Sequence, residues 1–201
     1  GGIGVQSSMA LSGERNAERW GLEKTRNAPP LRQLVESGIA IGVGSGAFRA
    51  ANYSPMLTLW WLVTGKTVAG SALRSPQQNL TRAEALRLHT LGGAWLTLEE
   101  GRKGSIEVGK YADLAVLNAD YLTVSEEQIR SLESLLTVVG GRIAYAAAPF
   151  EAAGTPKARR SSPFRSRTPS PSSTPTIPKR RPSVVGISMV AIVAPAFVST
   201  W

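Results

Sequence analysis

The stretch Gly38–Pro55 constrains this chain more than any other. Ile39 to Val43 is a short apolar run with β-branched residues, bounded by glycines, and it predicts a buried strand. Gly44-Ser45-Gly46 then turns the chain. Ser54-Pro55 opens an apolar segment with a cap followed by proline, the signature of a helix start. Strand, glycine-rich turn and helix form one βα unit, which predicts an α/β fold with its chemistry at the C-terminal end of the strand.

The segments on either side fit that class. Ile3–Gln6 is a short strand candidate, and Glu14–Trp20, with charges four apart, predicts a solvated helix stopped by Gly21. Pro29-Pro30 leads a helix with Leu31, Leu34 and Val35 on one face, and Gly38 suits its C-terminal cap. Ser54–Thr64 reads as an apolar helix ended by Gly65. Its adjacent Trp60 and Trp61 cannot share a face, so one is expected to pack inward and the other to meet a neighbour or a pocket wall.

Further on, Thr81-Arg82-Ala83-Glu84 is a capping box for a helix to about Trp95, and Ser125-Glu126-Glu127-Gln128 is another for a helix to about Glu133. Gly104 and Gly109 bracket a tight reversal before a buried strand at Leu114–Leu117. Leu135–Val139, Gly140-Gly141 and Arg142–Ala146 predict a hairpin. His89, the single histidine, is expected to be a capped or surface side chain, because a base needs an orienting partner and a metal needs further ligands.

Charge separates the chain into two parts. Residues 1–150 carry 15 Lys and Arg against 13 Asp and Glu, whereas residues 151–201 carry 8 against 1, so the tail supplies most of the net +9. The absence of cysteine excludes disulfides and thiolate metal sites and fits a cytoplasmic protein. The N-terminus has no charged n-region of a signal peptide and reads like the middle of a domain, which predicts a fragment or a truncated reading frame.

Residues 151–183 are rich in Pro, Ser, Thr and Arg and are expected to be disordered. The run from Arg165 to Ser172 suits a phosphorylation or RNA-contact arm, and its rival is unselected sequence from a shifted frame, which is preferred. Ser183–Trp201 is apolar and about long enough to cross a bilayer, but Gly186, Ser188, Pro195 and Ser199 interrupt it. Neither nucleic acid nor membrane is therefore favoured as a partner.

Three stretches together carry a resemblance. Gly44-Ser45-Gly46-Ala47 with Arg49, Tyr53 and the run Trp60–Val68 is similar to the end of the catalytic barrel in metal-dependent amidohydrolases of the family 3 group. Lys103–Leu117 resembles the segment through which those chains return to a small β-sandwich, and Ile129–Tyr145 resembles their closing segment. The resemblance implies the last strand–helix units of a TIM-like (β/α)8 barrel over residues 1–100. It also implies a return segment into the small β-sandwich over 101–150, followed by the tail at 151–201.

In that family the activity is hydrolysis of C–N bonds in N-acyl, cyclic or other non-peptide amides of small molecules. It uses a divalent metal, typically zinc. The turn after the eighth strand reads Gly-Ser/Thr-Asp there, and its aspartate is both metal ligand and proton shuttle. Here Gly46 stands in that place. The resemblance further implies that Asp113 is structural and that His89 fills an aromatic position. With the other ligand histidines absent, no catalytic, metal-binding or cofactor-binding residue is assigned, and no cofactor is expected in this chain alone. The leading expectation is a family member that is inactive as it stands. The rival is a non-catalytic, homo-oligomerising remnant with a polyanion- or membrane-interacting tail.

Overall fold

The computed structural model describes residues 1–46, 53–153 and 188–190. Its first unit is a parallel pair of strands, β1 (Gly2–Gln6) and β2 (Ala40–Gly44), in register from Gly2 opposite Ala40 to Gln6 opposite Gly44. The crossover between them carries three helices, α1 (Met9–Trp20), α2 (Leu22–Arg26) and α3 (Leu31–Glu36). A parallel pair needs such a crossover, because a tight turn can join only antiparallel neighbours.

Alternation along the strands gives the sheet two different faces. Val5, Ile41 and Val43 are buried and join the main core with Leu31 and α4 (Pro55–Thr64). The opposite face is made of small residues. A Cβ on Gly42 would lie 2.4 Å from Leu96 Cδ1, and a Cβ on Gly92 would lie 2.2 Å from the Ile41 carbonyl oxygen. Glycine at both places lets helical backbone rest directly on strand backbone.

That helical segment starts at α5 (Arg82–Arg87) with the expected capping box: Thr81 Oγ1 accepts from Glu84 N, and Glu84 Oε2 accepts from Thr81 N at 2.8 Å. It does not run as one regular helix. A π turn at Leu88–Gly92 separates α5 from α6 (Gly93–Leu96). Arg32 bridges α3 to α5 with two hydrogen bonds to Glu84, at 2.7 and 3.0 Å.

α4 begins and ends as expected. The Ser54 hydroxyl accepts from Leu57 N at 3.4 Å, Pro55 opens the first turn, and Gly65 closes the helix in the left-handed region with φ 66°. Both tryptophans are buried, at 1% and 2% exposure, each against neighbouring elements. Met56 through Thr64 is buried all round, as a helix without a polar face must be. Arg130 lies over the Trp60 ring, and Arg74 lies over Trp61 with 4.6 Å to the ring centroid.

Arg74 is the structural key to the end of α4. It is 4% exposed, and its Nη2 donates to the carbonyls of Trp61 at 2.5 Å and Leu62 at 2.8 Å, while Nε donates to Asn79 Oδ1. Both carbonyls also accept a backbone N–H, Trp61 O from Gly65 at 2.9 Å and Leu62 O from Leu80 at 3.1 Å, so Arg74 gives each a second donor at the helix end. Burial lowers the guanidinium pKa to about 10, leaving it charged at neutral pH.

The second unit is an antiparallel sheet in the order β5-β4-β3-β6. It contains β3 (Leu114–Leu117), β4 (Ser134–Val139), β5 (Arg142–Ala146) and β6 (Ser188–Val190). The predicted hairpin is present, with Gly140 at φ 56° and Gly141 at φ 77°, both needed for a turn that matches the twist of the strands. Asp113 Oδ1 accepts from Gly140 N at 2.6 Å, so this carboxylate ties β3 to the hairpin turn.

Three expected boundaries move. α1 begins at Met9 rather than near Glu14, because Ala10 and Gly13 are buried against the rest of the unit. The helix after Ser125 is a single turn, α7 (Glu126–Ile129), ending where Ile129 and Leu132 enter the core. Pro30 precedes α3 as its N-cap instead of occupying its first turn. The expectations for the basic tail and for most of the apolar C-terminus lie outside the described residues. Ser188–Val190, within the apolar run Ser183–Trp201, is the exception and is placed as a strand. Among the described residues no helix is long and apolar enough to cross a membrane.

Candidate functional site

The C-terminal ends of β1 and β2 open on one mouth, the position at which α/β folds gather ligand-binding groups. Gln6, Ser7, Ser45 and Gly46 line it, and Thr58 of α4 meets it from the side. Ser7 Oγ donates to the Ser45 carbonyl at 3.3 Å and shares a hydrogen bond of 2.9 Å with Thr58 Oγ1. Ser7 and Thr58 are buried, so this hydroxyl pair anchors α4 to the end of β1.

Gly46 adopts φ 68°, and a Cβ there would lie 3.0 Å from Gln6 Oε1. The Gln6 amide therefore fills the space into which a side chain at position 46 would extend. None of Gln6, Ser7, Ser45, Gly46 and Thr58 titrates near neutral pH, so they offer no group to take and return a proton. Tyr53, one of the motif residues, is 76% exposed. Ala47 and Arg49 lie outside the described residues.

His89 departs from the sequence expectation. It is 3% exposed, and among the described residues neither ring nitrogen makes a hydrogen bond of normal geometry, although the Val43 backbone lies close enough to favour the charged ring. The π turn explains the inversion: widening one turn shifts the phase of the helix and carries His89 to the side packed on β2. Burial lowers its pKa to about 4, opposed by the backbone of Val43, so the imidazole is neutral at neutral pH. Among the described residues no three His, Cys, Asp or Glu side chains converge to hold a metal ion.

Gln6, Ser7 and Thr58 were not singled out from the sequence. A threonine inside an otherwise apolar helix was the available signal, since a buried hydroxyl requires a partner.

Comparison with known proteins decides the family. The model of the amidohydrolase family matches residues 1–145. The chain belongs to that family. It is similar to an N-substituted formamide deformylase of Arthrobacter pascens, 34% identical over 116 residues, which cover 58% of this chain and 21% of the relative. It is also similar to an imidazolonepropionase of Micrococcus luteus, 38% identical over 90 residues, covering 45% of this chain and 20% of that protein. Among solved structures it resembles an uncharacterized metal-dependent hydrolase from Pyrococcus horikoshii, with TM-score 0.53 and 26% identity over 63% of this chain and 26% of the other. The chain thus spans about a fifth to a quarter of the length of the relatives it matches.

A metal-dependent relative raises the question of whether this mouth fits a divalent ion. Among the described residues its side chains do not. Position 46 has no side chain, Gln6 is a neutral amide packed on that glycine, and Ser7 and Thr58 are hydrogen-bonded to each other. Divalent catalytic sites are built from imidazole, carboxylate or thiolate donors.

Proposed function

We propose that residues 1–100 are the last strand–helix units of an amidohydrolase barrel of the TIM-like (β/α)8 type. Residues 101–150 are the return into its small β-sandwich, and 151–201 form a separate tail. The reaction of the assembled fold is metal-assisted hydrolysis of a C–N bond in a small-molecule amide. In this polypeptide alone the reaction does not proceed.

The observation carrying this reading is the juxtaposition of Gln6 and Gly46 at the mouth of a parallel βα unit. What supports the reading is a turn with glycine at position 46, where the resemblance expects the family's acid, and the neutral Gln6 amide beside it. Metal-activated water supplies the nucleophile in such enzymes, and a positioned acid or base contributes a further factor of roughly 10²–10⁴. A complete ligand set would draw its histidines from segments outside these 201 residues.

The test is an assay of the purified chain with added Zn²⁺ on N-substituted formamides, N-acyl amino acids and cyclic amides. Formamides come first because a formamide deformylase is among the relatives. The expected result is no turnover above a buffer blank. Turnover that survives repurification and is abolished by chelator overturns the reading.

A further inference from the structure

β3 is the least protected strand of the small sheet by sequence and the best buried by structure. Leu114-Ala115-Val116-Leu117 contains no charge, proline or glycine, and Ala115, Val116 and Leu117 are 7%, 4% and 2% exposed. An apolar run of this kind suits a strand paired on both sides. At a free edge it would template pairing with another chain. The opposite edge differs in one respect: β5 begins with the charged Arg142, the kind of residue that blunts an edge, and exposes Ala144 and Tyr145.

β4 covers one side of β3, from Leu114 opposite Val138 to Leu117 opposite Ser134. The other side is covered from far along the chain. Ser188–Val190 runs antiparallel to β3, with Leu117 opposite Ser188, Val116 opposite Met189 and Ala115 opposite Val190. The occupant comes from the apolar run Ser183–Trp201, beyond the basic, proline-rich residues 154–187. The contact is three residues long, so it is a weak strand addition that depends on being tethered to its own sheet.

We propose that the outer edge of β3 is a strand-docking site whose occupant is the chain's own C-terminal segment, and that this segment keeps β3 from pairing with β3 of a second copy. The role assigned to Ser188–Val190 is that of an edge strand held in cis, effective because the tether raises its local concentration above that of any second molecule.

The test uses the full chain and its Met189→Pro variant, compared by amide hydrogen exchange and by sedimentation velocity over a concentration series. Proline removes a backbone donor from the ladder and disfavours a paired strand. The expected result is exchange at β3 faster by roughly tenfold or more, unchanged protection at Leu136 and Thr137, and concentration-dependent self-association in the variant. A peptide of residues 183–201 added in trans should reverse the association. Equal β3 protection and equal sedimentation in the two proteins overturn the proposal. Should Met189→Pro also expose Leu136 and Thr137, the chain ended after Ala153 is read in its place. Its self-association, reversed by the peptide, supports the proposal; a monomer indifferent to the peptide refutes it.

Discussion

Gln6 and Gly46 face each other across the mouth of the parallel strands, so close that a Cβ on Gly46 would lie 3.0 Å from the Gln6 side-chain oxygen. Position 46 is thus adapted to glycine twice over, by its left-handed backbone and by the amide packed on it. A side chain placed there would require the exposed Gln6 amide to shift by a few tenths of an ångström.

Gly46→Asp is expected to lower stability by about 1 kcal/mol, since aspartate is among the residues that tolerate the left-handed region best. It should produce no hydrolysis, with or without Zn²⁺. Thermal unfolding and the amide assay check the two halves. Adding Gln6→Ala should recover part of the lost stability by clearing the space.

Glu84 combines two roles, cap of α5 and partner of Arg32. The Arg32 hydrogen bonds are the main reason its pKa is lowered to about 2, with the Thr81 backbone and hydroxyl assisting. A carboxylate lowered in the fold stabilises it above its ordinary value of 4.5, and this contribution is lost as pH falls from there toward 2. Glu84→Gln should cost about 1–3 kcal/mol at pH 7 and flatten the stability profile below pH 4.5. Urea titrations at a series of pH values measure both.

His89 has the same sign of pH dependence in a higher window. Its pKa falls from 6.5 to about 4 on burial, so the unfolded chain binds the proton more readily. Stability is full above pH 6.5 and declines as pH drops toward 4. His89→Phe removes two buried nitrogens that make no hydrogen bond of normal geometry among the described residues, and should abolish the slope between about pH 5 and 6.5 at little cost in stability at pH 7. A slope unchanged in the variant would assign it to another group.

Arg74 holds the carbonyls that end α4. Arg74→Met preserves much of the contact on Trp61 but leaves those carbonyls without their side-chain donor, and should destabilise the chain by about 2–4 kcal/mol. Arg74→Lys should recover only part, because an ammonium does not reproduce the guanidinium fork that reaches Trp61, Leu62 and Asn79 together. Chemical denaturation of the two variants side by side separates charge from geometry.

Local signals marked most of the elements. Ser54, Pro55 and Gly65 bound α4, the Thr81–Glu84 box opens α5, and Gly140-Gly141 turns the hairpin, because each is set by residues within a few positions of one another. What escaped depends on contacts between distant segments. The start of α1 at Met9 is decided by burial of Ala10, and the pairing of Ser188–Val190 with β3 joins residues more than seventy positions apart. His89 was misplaced because its reading rested on what catalysis or metal binding would need and not on which side of the segment packs on β2. At the mouth, the sequence marked Gly46 but not its neighbour: the glutamine that closes the space lies forty positions earlier, in a strand whose alternation alone does not identify its role.

The most direct test is equilibrium dialysis of the full chain against Zn²⁺ at neutral pH, with the bound metal counted per polypeptide and compared with a Gln6→Ala, Ser45→Ala variant. The account predicts a stoichiometry far below one, indistinguishable between the two proteins. One tightly held ion per chain, lost in the variant, would show that the mouth of β1 and β2 binds the metal by itself and would contradict it.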